Sequence, residues 1–347
     1  MQGGKYPVVG SNGIIGYHNE YTTEAPSITI GRSGNVGKPF LFKGRSWSHN
    51  TSLYIKEYKA VDPIFIYYFL QTLDLGNYAG GSAVPTLNRN HIHTLNVYVP
   101  TDIEEQRRIG AVLSVIDDKI ELNTAINENL EQQAQALYRQ MFVNADDNQS
   151  ATIADISLNV TDGVHNTVKD DPDGSYLLLS CKNIKGGSLN IGSSERHINK
   201  ETFDKLRKRT QLAKGDILIS SVGTIGEILM LNTEPTYYEF QRSVAMIKPD
   251  TELVSPAYVY ESLLYKKAEL INAAHGAVQQ CLFISDISEF PIDIPSKVKL
   301  DTFNSAVIPM FEIITANNEE NQRLAALRDT LLPKLMNGEI DVSAVQI

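Results

Sequence analysis

Residues 101–144 read TDIEEQRRIGAVLSVIDDKIELNTAINENLEQQAQALYRQMFVN. A line of mostly apolar positions steps through them by four and three: Ile109, Leu113, Ile116, Ile120, Asn123, Asn127, Leu130, Ala134, Leu137 and Met141. That spacing is a heptad seam, narrower than the stripe of an ordinary surface helix. Adding 194 to each number gives Phe303, Val307, Met310, Ile314, Asn317, Asn321, Leu324, Arg328, Leu331 and Leu335. The seam therefore recurs, and so does its interruption by two asparagines. Thr101 and Glu104 form a capping-box signature for the first helix. Asn337-Gly338 supplies a stop for the second. Pro309 and Pro333 predict a kink or break near the ends of that second helix. Arg328, which interrupts its seam, predicts a point where the helices diverge. An unpaired amide in an apolar seam costs about 1–3 kcal/mol. Antiparallel alignment brings Asn123 towards Asn321 and Asn127 towards Asn317, which would fix the register.

The repeat extends outward from the helices at a spacing of 189 to 195 residues. Ile28-Thr-Ile30-Gly31-Arg32-Ser33-Gly34-Asn35-Val36-Gly37 is echoed by Ile217-Leu-Ile219-Ser220-Ser221-Val222-Gly223-Thr224-Ile225-Gly226. Both read as a buried strand running into a glycine turn. Val61-Asp62-Pro63 is echoed by Val254-Ser255-Pro256, and Ala83-Val84 by Ala277-Val278. Each copy then closes on a short strand ending in proline, Leu95–Pro100 and Phe290–Pro295. Strand-like runs at Tyr6–Val9, Ser27–Ile30, Leu177–Leu179 and Asp216–Ile219 alternate with Gly, Asn, Ser and Asp turns. Helical stretches at Ile64–Leu73 and Pro256–Ala274 flank them. Each copy thus reads as an α+β domain with a strand-rich core. The second, counted from Thr152, has more than sixty residues before Ile217 and the first only 27 before Ile28. The first domain is therefore expected to be shorter by 25 to 40 residues.

Composition narrows the function. At 347 residues and 42% hydrophobic content the chain suits two packed domains with connecting elements. Its longest apolar run, near Ile64–Leu70, falls far short of the roughly 20 residues that cross a bilayer. MQGGKYPVVG has no apolar signal core. Cys181 and Cys281 read as two small core residues in a reducing cytoplasm. The net charge of −10 is unevenly spread: residues 1–100 carry +3, 101–149 carry −6, 150–294 carry −5 and 295–347 carry −2. Lys205, Arg207, Lys208, Arg209 and Lys214 form a local basic concentration. A chain this acidic would need partner subunits for much of any phosphate contact. Catalytic signatures are missing: there is no Walker A loop, no Asn-Pro-Pro-Tyr/Phe methyltransferase loop and no metal-ligand spacing. Gly31, Gly34 and Gly37 have the wrong spacing for a dinucleotide loop and read as a turn packed on a strand. His91-x-His93 could begin a metal site but has no evident further ligand.

Several stretches resemble one family, the DNA-specificity subunits of type I restriction–modification enzymes. They are Gly4-Lys-Tyr-Pro-Val-Val-Gly-Ser-Asn-Gly-Ile-Ile-Gly-Tyr-His18, Ile30-Gly-Arg-Ser-Gly-Asn-Val-Gly37 and Pro85-Thr-Leu-Asn-Arg-Asn-His-Ile92. The helix opening Pro100-Thr-Asp-Ile-Glu-Glu-Gln-Arg-Arg-Ile109 and the closing Leu327-Arg-Asp-Thr-Leu-Leu-Pro-Lys-Leu-Met-Asn-Gly338 resemble its spacer helices. The resemblance covers essentially the whole chain. It implies an α+β fold in which two strand-rich α/β target-recognition domains are separated by two long antiparallel coiled-coil helices, in a pseudo-twofold internal repeat. The expected boundaries are a first recognition domain over 1–100, a spacer helix over 101–144, a second recognition domain over 150–295, a second spacer helix over 296–338 and a tail over 339–347. It implies a non-catalytic, cytoplasmic subunit reading a bipartite target in double-stranded DNA. Its partners would be two DNA-methyltransferase subunits and, for restriction, motor-nuclease subunits. No cofactor is expected on this chain; S-adenosylmethionine, ATP and Mg would belong to the partners. The short first domain departs from the family pattern and bears on whether its half-site is read.

Base readers are polar side chains on loops beside a rigid scaffold: Arg for guanine, Asn and Gln for adenine, Ser and Thr for either. The first domain offers Ser11, Asn12, Tyr17, His18, Arg32, Ser33, Asn35, Lys38, Arg45, His49, Asn50, Arg89 and Asn90. Arg32 and Arg89 stand out beside glycine or asparagine. The second offers His165, Asn166, Lys182, Asn183, Ser220, Ser221, Thr224, Arg242, Gln279 and Gln280, with Gln279-Gln280 in the place of Pro85-Thr86. Asn123, Asn127, Asn317 and Asn321 are the expected register residues. For each candidate reader an ordinary turn or surface role is the alternative. At the level of the whole chain, two other readings stay open: a specificity subunit of a related combined restriction–methylation system, and a coiled-coil scaffold whose two domains bind protein or sugar.

Overall fold

The computed structural model describes residues 3–81, 85–143, 149–192, 194–276 and 280–346. They form two compact units that do not follow chain order: Met1–Asn123 with Glu319–Ile347, and Thr124–Asn318. Each unit owns one end of each of two 40-residue helices.

The first unit runs β1 (Tyr6–Gly10), β2 (Gly13–His18), β3 (Ser27–Gly31), β4 (Pro39–Phe42), β5 (Trp47–Ser48), β6 (Ser52–Tyr54), α1 (Pro63–Gln71), β7 (Ala79–Gly80), β8 (Thr86–Leu87), α2 (Arg89–His93) and the start of α3 (Ile103–Phe142). Two three-stranded sheets form, in the orders β2-β1-β5 and β4-β3-β6, with β1 and β5 parallel. The α1 helix begins at Asp62-Pro63. Asp62 Oδ1 accepts from the N–H groups of Ile64 and Phe65, and proline at the first turn has no N–H to waste. Ile28, Ile30, Leu70, Leu75 and Leu87 fill one core, while Phe65, Phe69, Ile109, Leu113, Leu335 and Val342 fill another.

The second unit runs β9 (Gln149–Thr152), β10 (Ser157–Asp162), β11 (Tyr176–Leu179), β12 (Ile184–Lys185), β13 (Ser188–Leu189), β14 (Arg196–Ile198), α4 (Lys200–Thr210), β15 (Ile217–Ser220), β16 (Ile228–Met230), β17 (Tyr238–Phe240), β18 (Val244–Pro249), α5 (Pro256–Tyr265), α6 (Lys267–Asn272), α7 (Ile284–Ser288), β19 (Pro291–Ile294) and most of α8 (Lys297–Met336). Its main sheet has the order β10-β18-β15-β16, beside β14-β11-β17 and the pair β19-β9. Ser255 caps α5 by accepting from Tyr258 N–H, as Asp62 caps α1. The four-stranded sheet packs Ile217, Ile219, Ala245 and Ile247 against Tyr258, Phe303 and Phe142.

Within each unit α3 and α8 run antiparallel. In the first, Asn123 Nδ2 donates to Asn321 Oδ1 at 2.9 Å and Glu320 Oε2 at 2.7 Å, and Arg328 Nη1 donates to Asp117 Oδ1 at 2.7 Å. In the second, Asn317 Nδ2 donates to Asn127 Oδ1 at 2.8 Å, and Asn127 Nδ2 to Asn318 Oδ1 at 2.9 Å. The Phe142 and Phe303 rings meet 5.2 Å apart further along.

The structure corrects several expectations. Leu95–Pro100 is not a strand. Its counterpart β19 exists by pairing with β9, and no strand lies beside 95–100 among the described residues. The cap of α3 is Asp102, not Thr101: its Oδ1 accepts from Glu104 N–H at 3.0 Å. The α8 helix is unbroken through Pro309 and Pro333. Both prolines, and the residues four earlier whose carbonyls they deprive of a donor, are exposed, so water can serve those carbonyls. Arg328 does not mark divergence. It joins the helices through Asp117, which also accepts from Tyr68 Oη at 2.7 Å. Both cysteines are free and only half-buried. The stop at Gly338 is as read: its φ is +76°, and Glu339 N–H donates back to Lys334 O.

Candidate nucleic-acid interface

In the first unit, four segments meet at one knot around Thr51. Arg32 N–H donates to Thr51 O at 2.8 Å, and Leu87 N–H donates to Arg32 O at 2.8 Å. Ser11 N–H donates to Thr51 Oγ1 at 3.4 Å, and His49 N–H to Val9 O at 2.9 Å. The turns 11–12, 32–37 and 49–51 and the segment 86–91 are thereby tied together. Gly37 is required here: its φ is +78°, and a Cβ would lie 2.2 Å from Gly76 N.

The second unit ties the same knot around Ser243. Ser221 N–H donates to Ser243 O at 2.9 Å and Leu282 N–H to Ser221 O at 2.9 Å. Cys181 N–H donates to Ser243 Oγ at 3.1 Å and Gln241 N–H to Leu179 O at 2.8 Å. The bridge of Ser33 with Thr86 is matched by that of Val222 with Cys281. Thr86 therefore corresponds to Cys281, and the expected match of Gln279-Gln280 with Pro85-Thr86 moves by one residue.

The knots carry much of the candidate set. Arg32, Thr86, Asn88, Arg89, Asn90 and His91 line a cleft of about 640 Å³, so the two arginines singled out from sequence face one cavity. Ser11, Asn12, Ser33, Asn35, His49 and Asn50 lie on the tied turns, with His49 Nδ1 3.0 Å from Thr51 Oγ1. Lys38 is exposed and its carbonyl accepts from Gly31 N–H. Tyr17 and His18 sit on β2; Tyr17 is half exposed and the His18 ring lies tilted against Trp47, with centroids 4.1 Å apart. Arg45 is engaged elsewhere, by Glu24 at 2.8 Å and over the Tyr21 ring.

In the second unit Thr224, Arg242 and Gln280 are exposed at the knot, with His165 and Asn166 on the adjoining 164–166 segment. His165 pairs with Asp162 at 2.6 Å. Burial, then Asp286, raise the Cys281 thiol pKa, and Arg242 acts the other way. Lys182 is held by Glu195 at 2.9 Å; burial pushes that carboxyl up, but Lys182, Asn183 and Gly192 N–H together keep it below its usual range. Gln279 lies outside the described residues.

Three candidates are corrected. Asn183 is buried, with its oxygen accepting from Ser180 N–H and its amide donating to Asn190 O. Ser220 is fully buried, donating to Thr224 O and accepting from Glu227 N–H. Ser221 is buried and donates to Arg242 O at 3.3 Å. These polar groups satisfy the scaffold itself. The basic concentration also divides: Lys205, Lys208 and Lys214 are exposed, whereas Arg207 turns inward to Glu239 and Arg209 reaches Asp162. Sequence reasoning missed Thr51 and Ser243, whose only signal was a hydroxyl residue at matched places in the repeat. No group of three or more His, Cys, Asp or Glu among the described residues is arranged to hold a metal.

Comparison with known proteins agrees with this duplicated architecture. The family model described as "Type I restriction modification DNA specificity domain" matches residues 1–132 and 182–325. The specificity subunit of the type I restriction enzyme MjaIX from Methanocaldococcus jannaschii is 28% identical over 312 residues, covering 80% of this chain and 69% of that one. The HindI specificity subunit from Haemophilus influenzae is 26% identical over 337 residues, covering 74% and 71%. The crystal structure of the type I restriction–modification S subunit from M. genitalium has a TM-score of 0.63 at 16% identity, covering 96% of this chain and 89% of that chain. That last likeness concerns the fold. With the family matched over both halves of the sequence, the chain belongs to the type I restriction–modification DNA-specificity family and is a non-catalytic, sequence-recognising subunit.

Proposed function

We propose that the chain reads a bipartite target in double-stranded DNA, one half per unit, with α3 and α8 as an antiparallel coiled-coil spacer in a pseudo-twofold repeat. The observation that carries this is the pair of knots: the same backbone bonds recur in each unit, while the exposed side chains around them differ. A constant scaffold with variable polar loops is what two readers of different sequences require. On this reading 1–100 and 150–295 are the recognition domains, 101–144 and 296–338 the spacer helices and 339–347 a tail. Asn123, Asn127, Asn317 and Asn321 set the register. Forty helical residues span about 60 Å.

The chain would act in the cytoplasm with two DNA-methyltransferase subunits and, for restriction, with motor-nuclease subunits. These partners would bring S-adenosylmethionine, ATP and Mg, and much of the positive charge that an acidic chain lacks. No helix among the described residues is long and apolar enough to cross a membrane. The test is reconstitution. Purified alone, the chain should neither methylate DNA nor hydrolyse ATP. With methyltransferase subunits and S-adenosylmethionine it should direct methylation to one split motif. Methyl transfer by the chain alone at the rate of the complex would overturn the adaptor reading.

A further inference from the structure

The matched knots let the two units be compared residue by residue. The bonds to Thr51 and Ser243 set Arg32 against Ser221 and Asn50 against Arg242. Of these two matched positions each unit therefore carries an exposed guanidinium at one, but on a different arm: the turn after β3 in the first unit and the turn between β17 and β18 in the second. The opposite arm in each case carries a smaller side chain, Asn50 or the buried Ser221.

These arginines differ from five others in the chain, which are held in ion pairs. Arg45 is paired with Glu24, Arg107 with Glu104, Arg207 with Glu239, Arg209 with Asp162 and Arg328 with Asp117. Arg32 and Arg242 have no ion pair among the described residues, and neither has Arg89 across the cleft from Arg32. An exposed guanidinium on a backbone already pinned by hydrogen bonds can offer its donor fork without breaking an ion pair and without the cost of ordering its loop. The base edge that fits that fork is guanine, through O6 and N7 in the major groove.

We propose that Arg32 and Arg242 are the guanine readers of the two half-sites, so that the units take guanine from different arms of one scaffold. This rests on the recognition reading above and adds to it which residue reads which base. It also supplies its own substitutions. Arg32→Ser and Arg242→Asn each install the residue that the sister unit already carries at that place, on the same backbone.

The experiment expresses the full chain with its methyltransferase partners in a host lacking them and maps methylated bases across the genome. The wild type defines the split motif. Arg32→Ser should make one G·C position degenerate in one half only, and Arg242→Asn should do so in the other half only. In competition binding to duplexes with that G·C replaced, discrimination should fall by roughly 10- to 100-fold. An unchanged motif in both variants would overturn the assignment, as would relaxation of the same half by both. Uniform weakening with no change in base preference would also overturn it, because that marks a phosphate contact. Absence of any split motif in the wild-type complex would instead sink the recognition reading itself.

Discussion

Thr51 and Ser243 show how much a single hydroxyl can organise. Each accepts the N–H of the residue that opens a neighbouring loop, Ser11 or Cys181. Removing the acceptor strands a part-buried N–H, at about 1 kcal/mol. Thr51→Val and Ser243→Ala should therefore each lower the urea midpoint, and Thr51→Ser should restore most of the loss; equal losses for Val and Ser at position 51 would exclude the hydrogen bond as the cause. Glu261 gives a second test at this scale. It is buried on α5, its Oε2 has no hydrogen-bond partner among the described residues, and burial, then Glu131 on α3, push its carboxyl up to about 8 against the pull of Arg139 and Gln135. A folded-state pKa above the unfolded value near 4.5 favours the protonated form in the fold. The stability it contributes is complete below that unfolded value and is lost as pH rises through about 8. Glu261→Gln should match the wild type in denaturation near pH 5 and exceed it near pH 9, and a parallel decline in both proteins would refute the assignment. Residue type alone was a partial guide to the candidate site. Arg32 and Arg89 were legible beside turn-forming neighbours. Asn183, Ser220 and Ser221 looked equally suitable, yet hydrogen bonds with Asn190, Thr224, Glu227 and Arg242, set by the fold, turn them inward.

The two helices were the most legible elements, because a seam repeated over ten positions leaves little ambiguity about period or buried face. Leu113, Asn123, Ala134, Phe303 and Val307 are buried as the seam requires. What the pattern could not show was satisfaction of exceptions: a salt bridge absorbs Arg328, and the residues whose carbonyls lose a donor to Pro309 and Pro333 are exposed, where solvent can reach them. Short strands were less legible, since Leu95–Pro100 and β19 share a pattern and differ in whether a neighbour exists to complete the ladder. The asparagines give the element-scale prediction. Asn127 exchanges amide bonds with Asn317 and Asn318 inside the second unit. Asn127→Leu alone leaves the facing amide unpaired and should cost about 1–3 kcal/mol. Asn127→Leu with Asn317→Leu removes this pair at once, leaves only the exposed Asn318 amide, which water can serve, and should be more stable than either single variant. A double-mutant cycle with no coupling would show that these amides are merely tolerated in the seam.

At the scale of the whole molecule, each compact unit closes with helix ends drawn from both halves of the sequence, which a division by chain order does not reveal. The duplication was legible because spacing survives where residue identity does not; the family match over 1–132 and 182–325 follows the same division. The spacer role proposed for the helices makes the most direct prediction about the whole protein. One heptad inserted in α3 between Asn123 and Asn127, and one in α8 between Asn317 and Asn321, preserves the seam on both sides because seven residues return it to the same face. Each helix grows by about 10 Å. Along B-DNA, at roughly 3.4 Å per base step, that is about three base pairs. The extended protein, assembled with its methyltransferase partners, should methylate a motif whose two halves keep their sequences while the gap between them lengthens by about three base pairs. Genome-wide methylation mapping reads both quantities in one measurement. Inserting a heptad in only one helix leaves the amide levels out of step, and should lower stability without producing a new, defined gap. If the doubly extended protein, folded and bound to its partners, still methylated the original spacing, the helices would not be the ruler.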